Sequence, residues 1–526
     1  MPNPPLTNYG LSGRIVTMNA SDTVIESGTV FVEAGKIVSV EPSTGPRPRR
    51  FRGAPVIETG GTIYPGLIEL HNHLPYNVLP LWNVPKKFVH RGQWTGIGEY
   101  KKLVSQPMAV LAKKVEGGPP AIVRYVECKC LMGGVTTSQG IRLMPAPGIE
   151  RFHKGVVRNA EEPDDESLAK AATRVADVDA RSAETFLAQL KRAKGACLLH
   201  LSEGLGPLAR EHFLALRIPG PLEKWAITPA LAGIHCAGLE PEDFAKMAEL
   251  GGSMIWSPFS NLLLYGGTAK IGAAREAGVT IAVGSDWSPS GSKNLLGELK
   301  VARLVNQELN AGLRDLDLVA MATRNPAKIL GWTAAGSIEA GKVADLLVIG
   351  KATGDAYETL LRAAETDVSL VAVRGVARYG KRELMNALGP LSEEVTVGGQ
   401  PRAFQLTDEQ VDPLVAGVKF GQARDLLRDK MAHIPELARS RTRARPSWTI
   451  VLDHTEPPGV AMRPKAPYRG KPTGQVAVTR AGPQPFVAVD LDPVTVADDP
   501  KFFENVTAQR NLPDYVKQGL PGMFGS

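Results

Sequence analysis

Short apolar runs recur along the middle of the chain, each closed by a polar residue, a glycine or a proline. They fall at residues 62–70, 133–139, 154–159, 197–202, 230–236, 253–257 and 279–286. Runs of this length, rich in Val, Ile and Leu and bounded by turn residues, predict buried β-strands. Longer stretches at 165–194 and 241–250 repeat their apolar positions at helical spacing, and 295–309 and 316–330 follow the last run in the same way. Strand–helix alternation over residues 63–335 predicts an α/β fold, a (β/α)8 TIM barrel whose functional groups sit at the C-terminal ends of its strands. One strand between 139 and 197 is not marked by any apolar run.

The flanks carry a different pattern. Apolar stretches at 11–18, 28–32 and 36–40 are separated by the turn signals Asn19-Ala-Ser-Asp and Glu33-Ala-Gly-Lys, and similar stretches return at 344–349 and 370–376. A small β unit is not stable alone, so residues 1–62 and 336–390 are expected to form one small β-sandwich built from both chain ends. The insert 74–131 is far longer than a βα loop needs to be. It carries Tyr76, Trp82, Arg91, Trp94 and Tyr100, and is expected to form a lid over the barrel mouth, the alternative being an insert with a small core of its own. Residues 391–526 read as a C-terminal extension. One or two amphipathic helices are expected over 406–439, then a proline-rich stretch with β-like runs at 449–452 and 486–491 and an aromatic end bearing Phe502, Phe503, Tyr515 and Phe524. A disordered tail would hold fewer aromatics. The extension is therefore expected to dock on its own barrel or on a neighbouring subunit, which leaves a homo-oligomer open.

Composition narrows the class. With 526 residues, 43% hydrophobic and 22% charged, the chain is globular and can bury a large core. The net charge of +7 is small for this length and concentrates at 47–52 and 439–445, so a nucleic-acid partner is not expected. No apolar segment is long enough to span a membrane, and the first residues lack a secretory pattern. Four cysteines in a chain this long are no disulfide framework, and Cys128 and Cys130 read as core. These points predict a cytoplasmic protein acting on a small molecule, with no membrane and no nucleic acid as partner.

The candidate chemistry sits at the strand ends. His71 and His73 close the first run and, one residue apart, point the same way off an extended strand. His200 closes Leu198-Leu-His-Leu-Ser-Glu203, His235 closes Gly233-Ile-His-Cys, and Asp286 closes Val283-Gly-Ser-Asp. Only nine histidines exist, and four of them fall at the ends of three predicted strands. Imidazole and carboxylate suit a divalent transition metal, and a three- or four-ligand site leaves room for a water that the metal acidifies toward a hydroxide nucleophile. Trp82, Arg91 and Trp94 are candidate substrate contacts, which would favour a planar or partly apolar substrate. The hydroxyl-rich stretch Trp287-Ser-Pro-Ser-Gly-Ser-Lys293 either contacts substrate or caps the next helix.

Pro65-Gly-Leu-Ile-Glu-Leu-His-Asn-His73, His200, His235, Asp286 and the closing Asn325-Pro-Ala-Lys-Ile-Leu-Gly-Trp with Gly336-Ser-Ile-Glu-Ala-Gly-Lys-Val-Ala-Asp345 resemble the metal-dependent amidohydrolase superfamily. Glu203, three residues after His200, makes the chain most similar to the deaminase and chlorohydrolase branch. The resemblance covers about residues 10–380. It implies a metal held by His71, His73, His200 and Asp286, a proton shuttle at Glu203, and a water-orienting or polarising role for His235. The implied activity is hydrolysis of carbon–nitrogen bonds other than peptide bonds, with a metal-bound hydroxide attacking an sp² carbon of a small amide, amidine or N-heterocycle. Removal of chloride, or cleavage of a carbamate or ester, would begin with the same attack; a scaffold without catalysis is the third reading. Binuclear relatives use a carboxylated lysine on the fourth barrel strand. The stretch 153–160 taken for that strand has its one lysine, Lys154, at the wrong end, with Arg158 and Asn159 at the other. One divalent transition metal, zinc or iron, is therefore expected.

Overall fold

The computed structural model describes residues 5–145, 150–178, 181–221, 223–351, 353–408, 411–440, 448–452 and 484–524. His454 and most of the basic patch at 439–445 lie outside the described residues. The run expected as one strand at 62–70 is two. Val56–Pro65 ends in one sheet, Leu67–Glu69 begins another, and the chain steps between them at Gly66. A Cβ on Gly66 would lie 2.3 Å from the Thr136 side chain, so the two sheets meet only because this residue has none.

Strands from both flanks share one nine-stranded sheet. Its order is Glu393–Val397, Gln400–Phe404, Val376–Lys381, Val368–Val373, Leu346–Ile349, Val56–Pro65, Asn8–Val16, Val24–Glu33 and Lys36–Pro42. The two flanks join where Val348 pairs with Ile63, and the sheet continues beyond residue 390 to Phe404. Ala34 and Gly35 both have positive φ, and so do Arg374 and Gly375, which gives two-residue hairpin turns matched to the strand twist. Period-two alternation divides the sheet's two faces. Ile63, Leu346 and Val348 pack in one apolar cluster; Tyr64, Leu347 and Ile349 pack in the cluster shared with the middle segment.

The middle segment supplies eight parallel strands in two sets. The first set is Leu67–Glu69, Val135–Ser138 and Arg158–Asn159; the second is Ala172–Arg174, Cys197–Leu201, Leu231–His235, Ser253–Trp256 and Thr280–Val283. Asn72 bridges Asp286 in parallel register, so the chain just after the first strand is zipped to the chain just after the eighth. Ile68 and Leu70 of the first set share a core with Leu198, Ala232, Ile234, Ile255 and Ala282 around the second. The arrangement is a mixed α/β structure with several sheets.

Two expectations are corrected. The unmarked strand is Ala172–Arg174, too short and too polar to carry a periodic signal, and the helix expected over 165–194 is confined to Ala183–Arg192. Residues 158–159 thus form the third parallel strand. Arg158 does not face the histidines. It pairs with Asp164 and with Asp345, whose backbone oxygen accepts from Gly66 N at the opposite end of the first strand from His71.

In the extension, helices occupy Phe420–Ala432 and Ile434–Arg439 while 411–419 is irregular; Trp448–Ile450 is a strand and 486–491 is not. Phe502–Ala508 and Asp514–Met523 are helices, and their aromatics Phe502, Phe503 and Phe524 pack on one another. All four cysteines are buried free thiols, and no helix among the described residues is long and apolar enough to cross a membrane.

Gly66→Ala should lower stability by roughly 1–3 kcal/mol, because the added methyl overpacks the junction of two sheets. Gly53→Ala, where a Cβ would meet nothing within 4 Å, is the control and should stay within about 0.5 kcal/mol in a urea melt. Equal effects would mean that the junction yields.

Candidate metal centre

Four strand ends deliver the five residues of the site. His71 and His73 follow Leu67–Glu69, His200 lies in Cys197–Leu201, His235 ends Leu231–His235, and Asp286 follows Thr280–Val283. Four backbone positions here have positive φ without being glycine: Ser202 at 51°, His235 at 69°, Cys236 at 50° and Asp286 at 64°. That conformation costs on the order of 1–3 kcal/mol at a non-glycine residue, and it turns each chain sharply at the strand end.

The result is a convergence of four donor atoms. His200 Nε2 lies 3.2 Å from His71 Nε2 and 3.3 Å from His73 Nε2. Asp286 Oδ1 lies 3.3 Å from His71 Nε2 and 3.5 Å from His73 Nε2. A tetrahedral zinc ion with bonds of about 2.0–2.1 Å requires ligand atoms about 3.3–3.4 Å apart. The four distances fit that shell, and the donor set of three imidazoles and one carboxylate suits it. Burial, reinforced by the other histidines, holds the pKa values of His71 and His200 well below the usual imidazole range, so both rings are neutral, the form that ligates a cation. Burial raises the Asp286 pKa, and the facing His235 and His73 oppose that rise.

A second layer orients these groups. His71 Nδ1 is 2.7 Å from Ser257 Oγ, a bond that leaves Nε2 free to ligate when the ring carries its hydrogen on Nδ1; Ser260 Oγ donates to Asp286 Oδ2 at 2.6 Å. His235 also comes within ligating reach of His71 and Asp286, but its hydrogen bonding sets it apart. Trp256 Nε1 donates to Thr268 Oγ1 (2.8 Å), Thr268 Oγ1 donates to Asn261 Oδ1 (3.3 Å), and Asn261 Nδ2 therefore donates to His235 Nδ1 (3.0 Å). The His235 hydrogen then sits on Nε2, which lies 3.7 Å from Glu203 Oε2. His235 is a donor pointed into the site.

Glu203 is buried beside this cluster. Tyr265 OH donates to its Oε1 at 2.7 Å, and Trp94 Nε1 donates in turn to Tyr265 OH at 2.9 Å. Burial and the adjacent carboxylate drive the Tyr265 pKa well above the usual phenol range, so it stays a donor. Arg91 lies 3.7 Å from Glu203 Oε2 through Nη1, while its Nη2 bonds Asp177 at 3.1 Å. Trp287 packs edge-on against His73 and Tyr76 and reaches Trp94 and Tyr100. Trp82 stands one ring further out, against Phe88 and Tyr100. Sequence reasoning missed Tyr265, Asn261, Ser257 and Ser260; the one signal was their spacing in Ser257-Pro-Phe-Ser-Asn261 just after a strand.

The sequence model of the Amidohydrolase family matches residues 168–381. A 5-methylthioadenosine/S-adenosylhomocysteine deaminase of Symbiobacterium thermophilum is 27% identical over 382 residues, covering 64% of this chain and 84% of that one. Among solved structures, a zinc-bound adenosine deaminase of Xanthomonas campestris superposes with a TM-score of 0.53 at 21% identity, covering 72% of this chain and 94% of that one. A zinc-complexed atrazine chlorohydrolase of Arthrobacter aurescens gives 0.51 at 18% identity, covering 70% and 94%.

Ser257→Ala should weaken zinc affinity roughly 10- to 100-fold in a chelator competition, because His71 loses the acceptor that fixes its tautomer. Unchanged affinity would show that His71 does not ligate through Nε2.

Proposed function

We propose that this chain, whose residues 168–381 match the Amidohydrolase family, is a metal-dependent hydrolase of that superfamily's deaminase- and chlorohydrolase-like branch, and more narrowly a one-metal deaminase of an amine-bearing N-heterocycle. Adenine nucleosides are the first class to test, because the relative named above deaminates one. On this reading the eight parallel strands close as one (β/α)8 barrel with 74–131 as its lid. The single nine-stranded sheet of the flanking strands folds over on itself as the small β-sandwich, with boundaries near 65 and 404, and the extension follows. The Asn72–Asp286 bridge and the core shared by the two strand sets support closure.

The observation that carries the proposal is the four-atom convergence with a buried carboxylate and an imidazole donor beside it. His71, His73, His200 and Asp286 hold the metal, with zinc preferred to iron because relatives of this fold are zinc-bound. Once in place, such an ion supplies Lewis acidity and an acidified water. Glu203 takes a proton from the attacking water and delivers it to the leaving nitrogen, base then acid. Tyr265 holds the Glu203 carboxylate in one rotamer for both transfers. His235 Nε2–H donates to the negative charge that develops on the substrate. Asp286, fixed by Ser260, orients the nucleophile. Trp94, Trp287 and Tyr76 offer aromatic faces to a planar ring, and the Arg91 guanidinium, with Nη1 making no hydrogen bond, offers a donor to a carbonyl or anionic substituent.

The fourth parallel strand, Ala172-Thr-Arg174, contains no lysine, which supports a single metal for a different reason from the one expected. The proposed partner is thus a small molecule, in the cytoplasm; a homo-oligomer is compatible with this site but not required by it.

A panel of amino-purines, amino-pyrimidines and chloro-triazines, scored for ammonia against chloride release, tests the reading, with ammonia from an amino-purine expected. Chloride release alone would move the chain to dechlorination. Glu203→Gln should retain its zinc yet lose about two to four orders of magnitude in kcat. Full activity with zinc retained would leave Glu203 a structural carboxylate.

A further inference from the structure

The C-terminal segment 484–524 lies along the insert that covers the site. Gln106 Nε2 donates to the Gln484 carbonyl (3.0 Å), Asp492 N to the Val78 carbonyl (2.9 Å), Val84 N to Gln509 Oε1 (3.2 Å), and Asn511 Nδ2 to the carbonyls of Lys86 (3.0 Å) and Leu263 (2.9 Å). These are stitches between distant parts of one chain. One of them carries buried charge.

The Asp492 side chain is only 3% exposed, and it accepts from two ammonium groups, Lys129 Nζ at 2.6 Å and Lys293 Nζ at 2.5 Å. Lys293 also pairs with Asp499 Oδ2 at 2.9 Å, so two cations and two carboxylates balance inside the protein. Lys129 belongs to the helix Gly118–Met132, and its ammonium goes on to Ser288 Oγ (2.6 Å) and the Asn77 carbonyl (3.1 Å). Asn77 Oδ1 accepts from Ser288 N (2.8 Å) and Asn77 Nδ2 donates to Asn72 Oδ1 (2.9 Å), while Asn72 Nδ2 donates to Ser285 Oγ (3.2 Å). Asn72 lies between His71 and His73, and Ser285 precedes Asp286. An unbroken polar chain therefore runs from Asp492 to the two loops that present three of the four ligand atoms.

Burial holds the Lys129 pKa below the usual amine range although Asp492 opposes it, while Asp492 and Asp499 together lift that of Lys293 above it. Without it, Lys129 becomes a buried cation with no anionic partner, held only by Ser288 and the Asn77 carbonyl. Relief for that charge means moving those groups, and with them the ligand loops. We infer that Asp492 is a positioning residue for the metal centre: the C-terminal segment locks the His71–His73 and Asp286 loops in register from behind, and the site reaches full metal affinity only with that carboxylate in place. The inference rests on the reading that those residues hold a cation.

The test uses the full chain and zinc alone as the probe. Zinc affinity is measured by chelator competition, beside thermal melting, for wild type, Asp492→Asn, Asp492→Glu, Ser288→Ala, His73→Ala and Leu520→Ala. Leu520 is buried in the helix Asp514–Met523, takes no part in the hydrogen-bonded chain from Asp492, and reports what simple loosening of the segment does. Asp492→Asn should weaken zinc affinity tenfold or more, Asp492→Glu should restore part of it, and Leu520→Ala should melt earlier at wild-type affinity. At saturating zinc, Asp492→Asn should lose kcat with KM little changed, the mark of misplaced ligands. If Asp492→Asn does not fold, Ser288→Ala decides, since it removes the Lys129–Ser288 link of the same chain without stranding a charge; several-fold weaker zinc binding is expected. Wild-type affinity in Asp492→Asn, or in Ser288→Ala when the former is unfolded, overturns the inference. So does equal loss of affinity in Leu520→Ala. Wild-type protein that binds no zinc, or a His73→Ala variant that binds it unchanged, overturns the metal-centre reading itself.

Discussion

Three imidazole nitrogens and a carboxylate oxygen meet at 3.2–3.5 Å in a largely buried pocket, and the arrangement depends on what can lie between them. Two neutral imidazoles share at most one hydrogen, and the other nitrogen of His71 is engaged by Ser257. Nitrogen and oxygen lone pairs are thereby brought to face one another across these short distances. Unpaired buried polar atoms cost free energy, and the penalty mounts when several face one another. A divalent cation removes that conflict in one step. The surrounding structure is built to keep the four atoms together despite it.

That explains features otherwise unfavourable. Positive φ at His235 and Asp286 brings side chains from separate strands to one point, where relaxed extended backbone would carry them past it. Ser257, Ser260 and Asn261 come from a single turn after Ser253–Trp256, so one short element sets the tautomer of His71, the rotamer of Asp286 and the donor face of His235. The aromatic wall and Tyr265 join this layer to the insert through Trp94. Glu298 completes the support. Burial lifts its pKa to about 8, and it takes hydrogen bonds from Phe259 N and Ser292 Oγ, on either side of the Asp286 strand end.

The convergence of His71, His73, His200 and Asp286 was legible in the sequence because each of these residues stands at a strand end, where an apolar run stops abruptly at a histidine or aspartate. The same reasoning failed for Ala172–Arg174. Three residues with two polar side chains leave no periodicity, and that strand is fixed by neighbours distant in sequence, through pairing with Cys197–Leu199. It also misread the split at Gly66, where a continuous apolar run hides a change of sheet. Tyr265, apolar in pattern and lodged in a hydrophobic helix, looks like core until its hydroxyl is seen on Glu203. Asp492 sits in a proline-rich stretch whose meaning lies wholly in two lysines more than 190 residues away.

X-ray absorption at the zinc edge of the reconstituted protein tests the central claim most directly, since it reads the ligand shell without substrate or turnover. The account predicts a shell of nitrogen and oxygen scatterers at about 2.0–2.1 Å with the outer-shell pattern of three imidazoles, no sulfur at about 2.3 Å, and no second metal at about 3.5–4 Å. A sulfur shell, a metal–metal vector, or fewer than three imidazoles would contradict it.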